Sequence, residues 1–391
     1  MKRLRQFSIG MAMVAVFVAG CTPSIRSDEE LIQEDTETEI ETTIIPSRQL
    51  SDSYYKTLVP YKESVARGLV VSNMNTKYNI KEVENGLMRI SQNEFSTDKY
   101  YFQEGQYIDE TMVKYWIARE NQTTDKGPEY QGLNPSDVDK DGNKLAPEVK
   151  ATDAPVYLAH VVEQNYLTKN ADNKVEIGGV SIGLALNSIY YYQKEQYGEF
   201  YEEKIDDKEL EAEGKKIAAE VVQRLRERAG LEEVPIVVAL FKQQPKNSIV
   251  PGTYFAYSVA DKGSNQLGDW LGINEEYVTF PMSNPDNKYR DMNEKFQNFK
   301  QDIDEYFSNY TSVIGTGFYQ SDTISSLEVE IPIQFYGTSE LIGFTQYLTG
   351  VMLQQLPDNL TITIEIKSMN GSEALIKKEP NDQEPFVHIY E

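Results

Sequence analysis

The sequence predicts an α+β fold in which mixed and largely antiparallel sheets carry helices on one face. Apolar residues alternate with polar ones over several short segments, as in half-buried strands. Over longer segments they recur at spacings of three and four, as in amphipathic helices. The 26 tyrosines and 15 phenylalanines suit the core of a β-containing protein, and a tyrosine-lined ligand groove is the alternative interpretation.

Residues 1–20 have the pattern of a lipoprotein signal peptide. A positively charged start, Lys2 to Arg5, precedes the run Phe7–Val18, which is apolar apart from one serine and too short for a transmembrane helix. The small residues Ala19 and Gly20 then lead into Cys21. We therefore expect cleavage before Cys21 and attachment of a diacylglycerol to its thiol, with an ordinary secretory peptide as the alternative.

Cys21 is the only cysteine of the chain, so its lipidation leaves no thiol for a disulfide, a nucleophile or a metal site. A diacylglyceryl group carries two acyl chains, which is enough for stable anchoring. The sequence thus predicts a protein on the extracellular face of the cell membrane. Its expected partners are the membrane, through the lipid on Cys21, and the enzymes that process lipoproteins.

The charge of the chain argues against nucleic acid as a partner. Three of the 38 basic residues lie in the leader, which has no acidic residue, so cleavage leaves 35 basic and 62 acidic residues and a net charge of −27. Such a surface repels nucleic acid and anionic lipid headgroups. Contact with the membrane is therefore expected through the lipid alone.

Residues 21–50 are predicted to form an acidic tether. Eight acidic residues stand there against Arg26 and Arg48, and such a composition cannot bury a core. Residues 51–391 then form the extracellular globular domain, with two subdomains as a further hypothesis. Between Leu50 and Tyr166 the pattern indicates only short helices near Glu110–Glu120 and Ala154–Thr168.

The next elements form a strand, a helix and two strands. Val180 to Leu186 alternates as a strand, and a helix is expected over Asp207–Ala229 because its apolar residues fall on one face, with Gly230 placed to end it. Two strands follow at Pro235–Phe241 and Tyr254–Val259.

A similar set closes the chain after a long helix over Asn293–Ile314. It comprises a strand from Leu327 to Phe335, a helix capped by Thr338 or Ser339, and strands at Leu360–Ile366, Ala374–Lys377 and Phe386–Tyr390. The pattern suggests two related β-α-β-β units.

Gly179-Val180-Ser181-Ile182-Gly183 fits the G-x-S-x-G motif of serine hydrolases, which requires a sharp strand-to-helix turn at the serine. The residues after it continue as a strand, so a glycine-rich strand is the favoured interpretation. An extracellular hydrolase using Ser181 and His388 is the alternative function.

The segment from Asp137 to Glu148 has the spacing of a calcium loop. Asp137, Asp139, Asp141 and Glu148 occupy oxygen-ligand positions, and Gly142 permits the tight turn. The flanking prolines and an inward-pointing lysine favour a solvated acidic turn. A calcium-stabilised binding module remains an alternative.

The two histidines, His160 on the helix expected from Ala154 and His388 in the last strand, cannot form a zinc site by themselves. Packing or hydrogen bonding is the favoured role of each. The sequence therefore predicts no catalytic residue, no metal site and no cofactor, and the chain is interpreted as a non-enzyme.

Several short strings are specific as a set: Tyr61–Ser64, Ala66–Leu69, Thr97–Tyr100, Gly105–Gln106, Gly132–Pro135, Gly183–Ala185, Asn187–Ser188, Tyr190–Tyr192, Arg224–Glu227, Glu384–Pro385 and Val387–Tyr390. With these strings the chain resembles the CamS-type family of sex-pheromone-precursor lipoproteins from Gram-positive bacteria.

The resemblance implies that the cleaved leader is trimmed to a short apolar peptide that a receptor on donor cells senses as a conjugation pheromone. Residues 14–20, Val14 to Gly20, match that peptide. The family peptide places its phenylalanine two residues nearer the N-terminus and ends in Ser or Ala. Such a displaced aromatic costs on the order of 1–3 kcal/mol in an apolar receptor pocket. The family supplies no catalytic residues, and binding or adhesion is the role expected of the anchored domain.

Overall fold

The computed structural model describes residues 29–34, 40–46, 50–122, 127–172, 174–306, 312–333 and 337–390. Seven α-helices lie within these ranges: α1 (Leu69–Asn73), α2 (Lys77–Ser91), α3 (Glu110–Trp116), α4 (Pro147–Asp153), α5 (Asp207–Arg226), α6 (Asn287–Tyr306) and α7 (Thr338–Gln355). A short 3₁₀ helix spans Pro128–Tyr130.

Seventeen strands lie in the same described ranges. Ten of them precede Asp261: β1 (Glu29–Glu34), β2 (Ile40–Ile45), β3 (Lys56–Thr57), β4 (Tyr101–Glu104), β5 (Leu158–Lys169), β6 (Lys174–Asn187), β7 (Ile189–Gln193), β8 (Phe200–Lys204), β9 (Ile236–Gln243) and β10 (Thr253–Ala260). The others are β11 (Leu271–Gly272), β12 (Glu275–Phe280), β13 (Ile314–Gln320), β14 (Thr323–Pro332), β15 (Thr361–Ser368), β16 (Gly371–Lys378) and β17 (Phe386–Ile389).

The first sheet has the order β11-β10-β9-β6-β5-β4-β3, and the β1–β2 hairpin joins it through β6. Alternate residues of β6 and β9 point to opposite faces. Val180, Ile182 and Leu184 pack with α3 and α5, whereas Ala185 and Val237 pack with α1 and α2. This sheet therefore carries helices on both faces. The prediction of helices on one face does not describe it.

The second sheet has the order β12-β13-β14-β15-β16-β17. Leu327, Val329 and Ile331 of β14 alternate with exposed residues, and they pack with Ile362 and Ile364 of β15 against α6 and α7. Helices cover this sheet on one face, as the sequence predicted. The α+β class with mixed sheets is confirmed.

Each sheet contains one of the predicted β-α-β-β units. In the first, β6 and β9 pair in parallel across α5, and β9 pairs with β10 antiparallel. In the second, β14 and β15 pair in parallel across α7, and β15 pairs with β16 antiparallel. Two neighbouring parallel strands need a crossover connection from the end of the first to the start of the second, and a helix usually forms it. This requirement explains the shared pattern.

Helix α5 begins at the side chain of Asp206, which accepts hydrogen bonds from the N–H groups of Lys208 and Glu209. A Cβ on Gly214 would lie 2.7 Å from a methyl of Leu186, so glycine permits the close approach of α5 to β6. The helix ends at Arg226, three residues earlier than predicted.

The helix predicted over Ala154–Thr168 is wrong, because most of that segment is β5. Irregular pairing with β6 near His160 and Tyr166 disturbs the alternation, and both faces of the strand are buried. A strand buried on both faces shows a continuous apolar run that periodicity does not separate from a helix.

Helices α6 and α7 and the segment 21–50 also differ from the predictions. Helix α6 begins at Asn287, and Ile314, its predicted end, begins β13. Helix α7 is preceded by Gly337, without a side-chain cap from Thr338 or Ser339. Strands β1 and β2 lie inside residues 21–50, where an extended tether was predicted; Ile45 is buried against Leu58.

A buried ionic cluster joins α2 to the second sheet. The Arg89 guanidinium donates to both oxygens of Glu275, at 2.9 and 2.7 Å, and to Glu82 at 2.6 Å. Tyr277 donates its hydroxyl to the other Glu82 oxygen, at 2.7 Å. The Arg89 guanidinium also lies 4.7 Å from the ring centroid of Phe318. Burial raises the pKa of Glu82, and the positive charge of Arg89 opposes that shift.

None of the helices in the described part of the chain is long and apolar enough to cross a bilayer.

Candidate ligand pocket

A small pocket opens where β4 stops pairing with β5. The last pair of these strands joins Glu104 to Gln164, and the Gly105 N–H donates to the Glu163 carbonyl just beyond it. Among the described residues, positions 159–162 of β5 have no strand neighbour on that side. The segment before α1, helix α2 and the start of α3 enclose a cavity of about 160 Å³ there. We call it the β5 pocket.

His160 lines the β5 pocket with only 3% of its surface exposed, as does Gln164. Asn73 Nδ2 lies 3.2 Å from His160 Nδ1, and an amide nitrogen can only donate. His160 Nδ1 is thus an acceptor, and the proton of the neutral ring lies on Nε2. Burial lowers the pKa of His160 to about 4. The part of the chain that the structure describes offers no partner for Nε2.

Glu163 ties β5 to the segment that follows β4. Its carboxylate accepts the backbone N–H groups of Gln106, Tyr107 and Ile108, at 3.0, 3.1 and 2.7 Å. Desolvation nevertheless raises the pKa of the carboxyl. A Cβ at Gly105 would lie 2.5 Å from Glu163 Cβ, so the segment approaches this closely only with glycine.

Glu104 holds the chain before α1 over the pocket. One carboxylate oxygen accepts the Ser64 N–H at 2.7 Å, and the other accepts the Tyr61 hydroxyl. Arg67 lies 3.7 Å from Glu104 and 3.2 Å from Glu63. A guanidinium is thereby placed at the wall of the β5 pocket.

The remaining lining is mostly apolar, apart from Glu84, Asn85 and Gln164. Val70, Met88, Phe102 and Val113 supply aliphatic and aromatic surface. The Glu84 side chain is exposed, and no donor contacts its carboxylate within the described ranges. The pocket therefore offers a neutral N–H donor, charges of both signs and an apolar wall, which is a composition that binds small polar ligands.

The alternative hydrolase site does not form. Ser181 lies in the middle of β6 with no exposed surface, and its hydroxyl accepts that of Ser91 at 2.7 Å. His388 lies on β17, the edge strand of the second sheet, with its ring 4.7 Å from that of Tyr390. The Ser181–His388 hydrolase is therefore wrong, because no sharp turn exposes the serine, and the favoured glycine-rich strand is confirmed.

The carboxylates of the predicted calcium loop point to different partners. Asp137 accepts from Asn121 at 2.9 Å and pairs with Lys150 at 3.3 Å. Asp139 accepts the N–H groups of its own turn, those of Asp141 and Asn143 at 2.9 and 2.8 Å.

Glu148 lies on α4, where it pairs with Lys194 at 3.3 Å. Over the described residues, no three His, Cys, Asp or Glu side chains are grouped to hold a metal ion. In this structure Asp139 is thus bonded within its own turn, whereas Asp137 and Glu148 pair with side chains outside the segment. Cys21 and Val14 to Gly20 lie outside the described residues.

The β5 pocket was not predicted. His160 had been placed on a helix, and no role had been given to Arg67, Glu84, Glu104 or Glu163. Three strings of the family resemblance, Tyr61–Ser64, Ala66–Leu69 and Gly105–Gln106, border the pocket. These strings were the one sequence signal near the pocket, but only the structure shows that they lie together.

The family model described as "CamS sex pheromone cAM373 precursor" matches residues 61–384. The chain belongs to the CamS family. The match includes most strands of both sheets and the residues that line the β5 pocket, and it confirms the resemblance found in the sequence. No curated protein sequence matches the chain.

Two solved structures are similar to this CamS chain. The sex pheromone precursor from Lactobacillus salivarius subsp. salivarius UCC118 is 32% identical and has a TM-score of 0.79, with 88% of this chain and 98% of that one covered. The C-terminal domain of the sex pheromone staph-cAM373 precursor from Staphylococcus aureus is 33% identical, with a TM-score of 0.69, over 82% of this chain and 98% of that one.

Proposed function

We propose that this CamS-family chain is an extracellular lipoprotein anchored through Cys21, that its cleaved leader yields a signalling peptide from Val14 to Gly20, and that its folded part is a non-enzymatic binding protein. The leader pattern and membership of a pheromone-precursor family support the first two parts. The membrane, the processing enzymes and a peptide receptor on donor cells are the partners this proposal requires.

The β5 pocket is the observation that carries the binding role. It presents an unpartnered donor, His160 Nε2–H, beside an apolar wall and charged side chains. The one serine on its wall, Ser64, accepts the Ala66 N–H at 3.2 Å, and the His160 ring is bonded to Asn73. Binding without chemistry is the role that these contacts favour.

Mass spectrometry of the culture supernatant tests the leader. A peptide comprising Val14 to Gly20, or a trimmed form that triggers a response in donor cells, is expected. A scrambled peptide of the same composition is the control for the response. An absent or inert peptide would contradict the signalling role and leave the anchored domain as the functional part.

Cell fractionation with a radiolabelled fatty acid tests the anchor. The label should follow the wild-type chain into the membrane fraction, and Cys21→Ser should lose both the label and the membrane association. Since Cys21 is the only cysteine, no second thiol can take the lipid. A membrane-bound and unlabelled Cys21→Ser protein would contradict anchoring at this residue.

A further inference from the structure

We propose that the β5 pocket binds a small aliphatic amino acid in its zwitterionic form. This inference rests on the proposed binding role and assigns it a ligand class. His160 Nε2–H faces the pocket on a side chain that is only 3% exposed, and nothing in the described part of the chain accepts its hydrogen. His160 Nε2 is not among the fully buried, unpartnered polar atoms of the described residues, so in the free protein it donates to water, and an acceptor on the ligand takes the place of that water.

The charges of the wall call for a ligand with both signs. Glu84 carries a carboxylate that no donor contacts within the described ranges, and Glu104 lies nearby, so this side suits an ammonium group. Arg67 supplies the positive charge, and His160 supplies the neutral N–H. An α-ammonium and an α-carboxylate on one carbon offer both charges to groups that line the same cavity.

The size of the pocket limits the rest of the ligand. A volume of about 160 Å³ is close to the roughly 150 Å³ of an apolar protein cavity that holds one benzene molecule. This is too small for a drug-sized molecule, whose pockets begin at roughly 300 Å³. Val70, Met88 and Val113 offer apolar contact to a side chain as short as that of alanine or valine.

Isothermal titration calorimetry of the full chain in detergent, with four probes, tests the ligand class. L-Valine should bind, whereas N-acetylvaline, which lacks the ammonium, and valinamide, which lacks the carboxylate, should each bind roughly tenfold more weakly or worse. Valyl-valine separates a free amino acid from the end of a peptide, and it should bind more weakly than valine. No heat with valine at about 10 mM, or equal affinity for all four probes, would overturn the proposal.

Two variants tie the binding to the pocket. His160→Phe removes the donor, and Glu84→Gln removes the unpaired charge at an exposed position while keeping the shape of the side chain. Each should weaken valine binding roughly tenfold or more. Glu203→Gln, on β8 and away from the pocket, should leave it unchanged.

Unchanged binding of valine to Glu84→Gln would refute the assignment even if His160→Phe failed to fold. The peptide and fatty-acid assays of the leader and Cys21 do not involve the pocket. Failure of this ligand and failure of the proposed anchoring and signalling can therefore be told apart.

Discussion

Replacement of His160 by glutamine should flatten the dependence of stability on acidic pH. In the folded protein the pKa of His160 is about 4, because burial disfavours the charged ring; the ordinary pKa of an exposed histidine is 6.5. As the pH falls below 6.5, the unfolded chain takes up a proton here while the folded chain does not. Stability from this residue is therefore complete above pH 6.5 and is lost as the pH falls towards 4.

The loss is about 3 kcal/mol, since the two pKa values differ by 2.5 and each pH unit is worth about 1.4 kcal/mol. Glutamine keeps an acceptor for Asn73 Nδ2 and does not titrate. Glu82 and Glu163, whose pKa values are raised, act in the opposite direction, because the folded chain binds their protons first. They are present in both proteins, so the difference between wild type and variant isolates His160.

Urea denaturation from pH 7 to pH 4.5 measures the effect. The free energy of unfolding should fall more steeply with acid for the wild type than for His160→Gln, by close to one proton over this range. His388→Gln, at an exposed position on β17, is the matched control for loss of an imidazole. Parallel curves for wild type and His160→Gln would refute the reasoning, since they would mean that the folded protein accommodates a charged ring at this site.

Three further changes should alter stability, each measured by urea denaturation. Arg89→Ala should cost about 3 kcal/mol because it leaves two buried carboxylates without their cation; a cost below about 1 kcal/mol would show that the junction tolerates the loss. Gly252→Ala should cost about 3 kcal/mol, since its Cβ would lie 2.0 Å from the Lys242 carbonyl oxygen, while Gly272→Ala, with nothing within 4 Å, serves as the control. Asp206→Ala should cost about 1 kcal/mol through the lost cap of α5, and Asp206→Asn should recover most of it.

The spacing of apolar residues was sufficient to predict helices and strands that have one buried face. The apolar residues of α5 recur along the face that packs on β6, and those of β14 alternate because its other face is exposed. In both cases the period of burial equals the period of the element, so the sequence displays it directly. The same holds for the two β-α-β-β units, whose order follows from these elements.

The strand β5 shows where pattern fails. Both of its faces are buried, between α3 and α5 on one side and α1 and α2 on the other, so polar residues do not mark an outer face. His160 and Glu163 both lie on this strand. A helix assignment over the segment therefore hid the two residues on which the β5 pocket is centred.

The sequence by itself determined the leader pattern, the strong negative charge, the family and most of the regular elements, because each of these is written in contiguous residues. Only the tertiary structure decided that Ser181 is buried and that Asp137 and Glu148 face different lysines. It also brought Arg67, Glu84 and His160 to one cavity from three separate elements. Contacts between distant segments depend on which helices pack on each face of the sheet, and the periodicity of a single segment does not predict this packing.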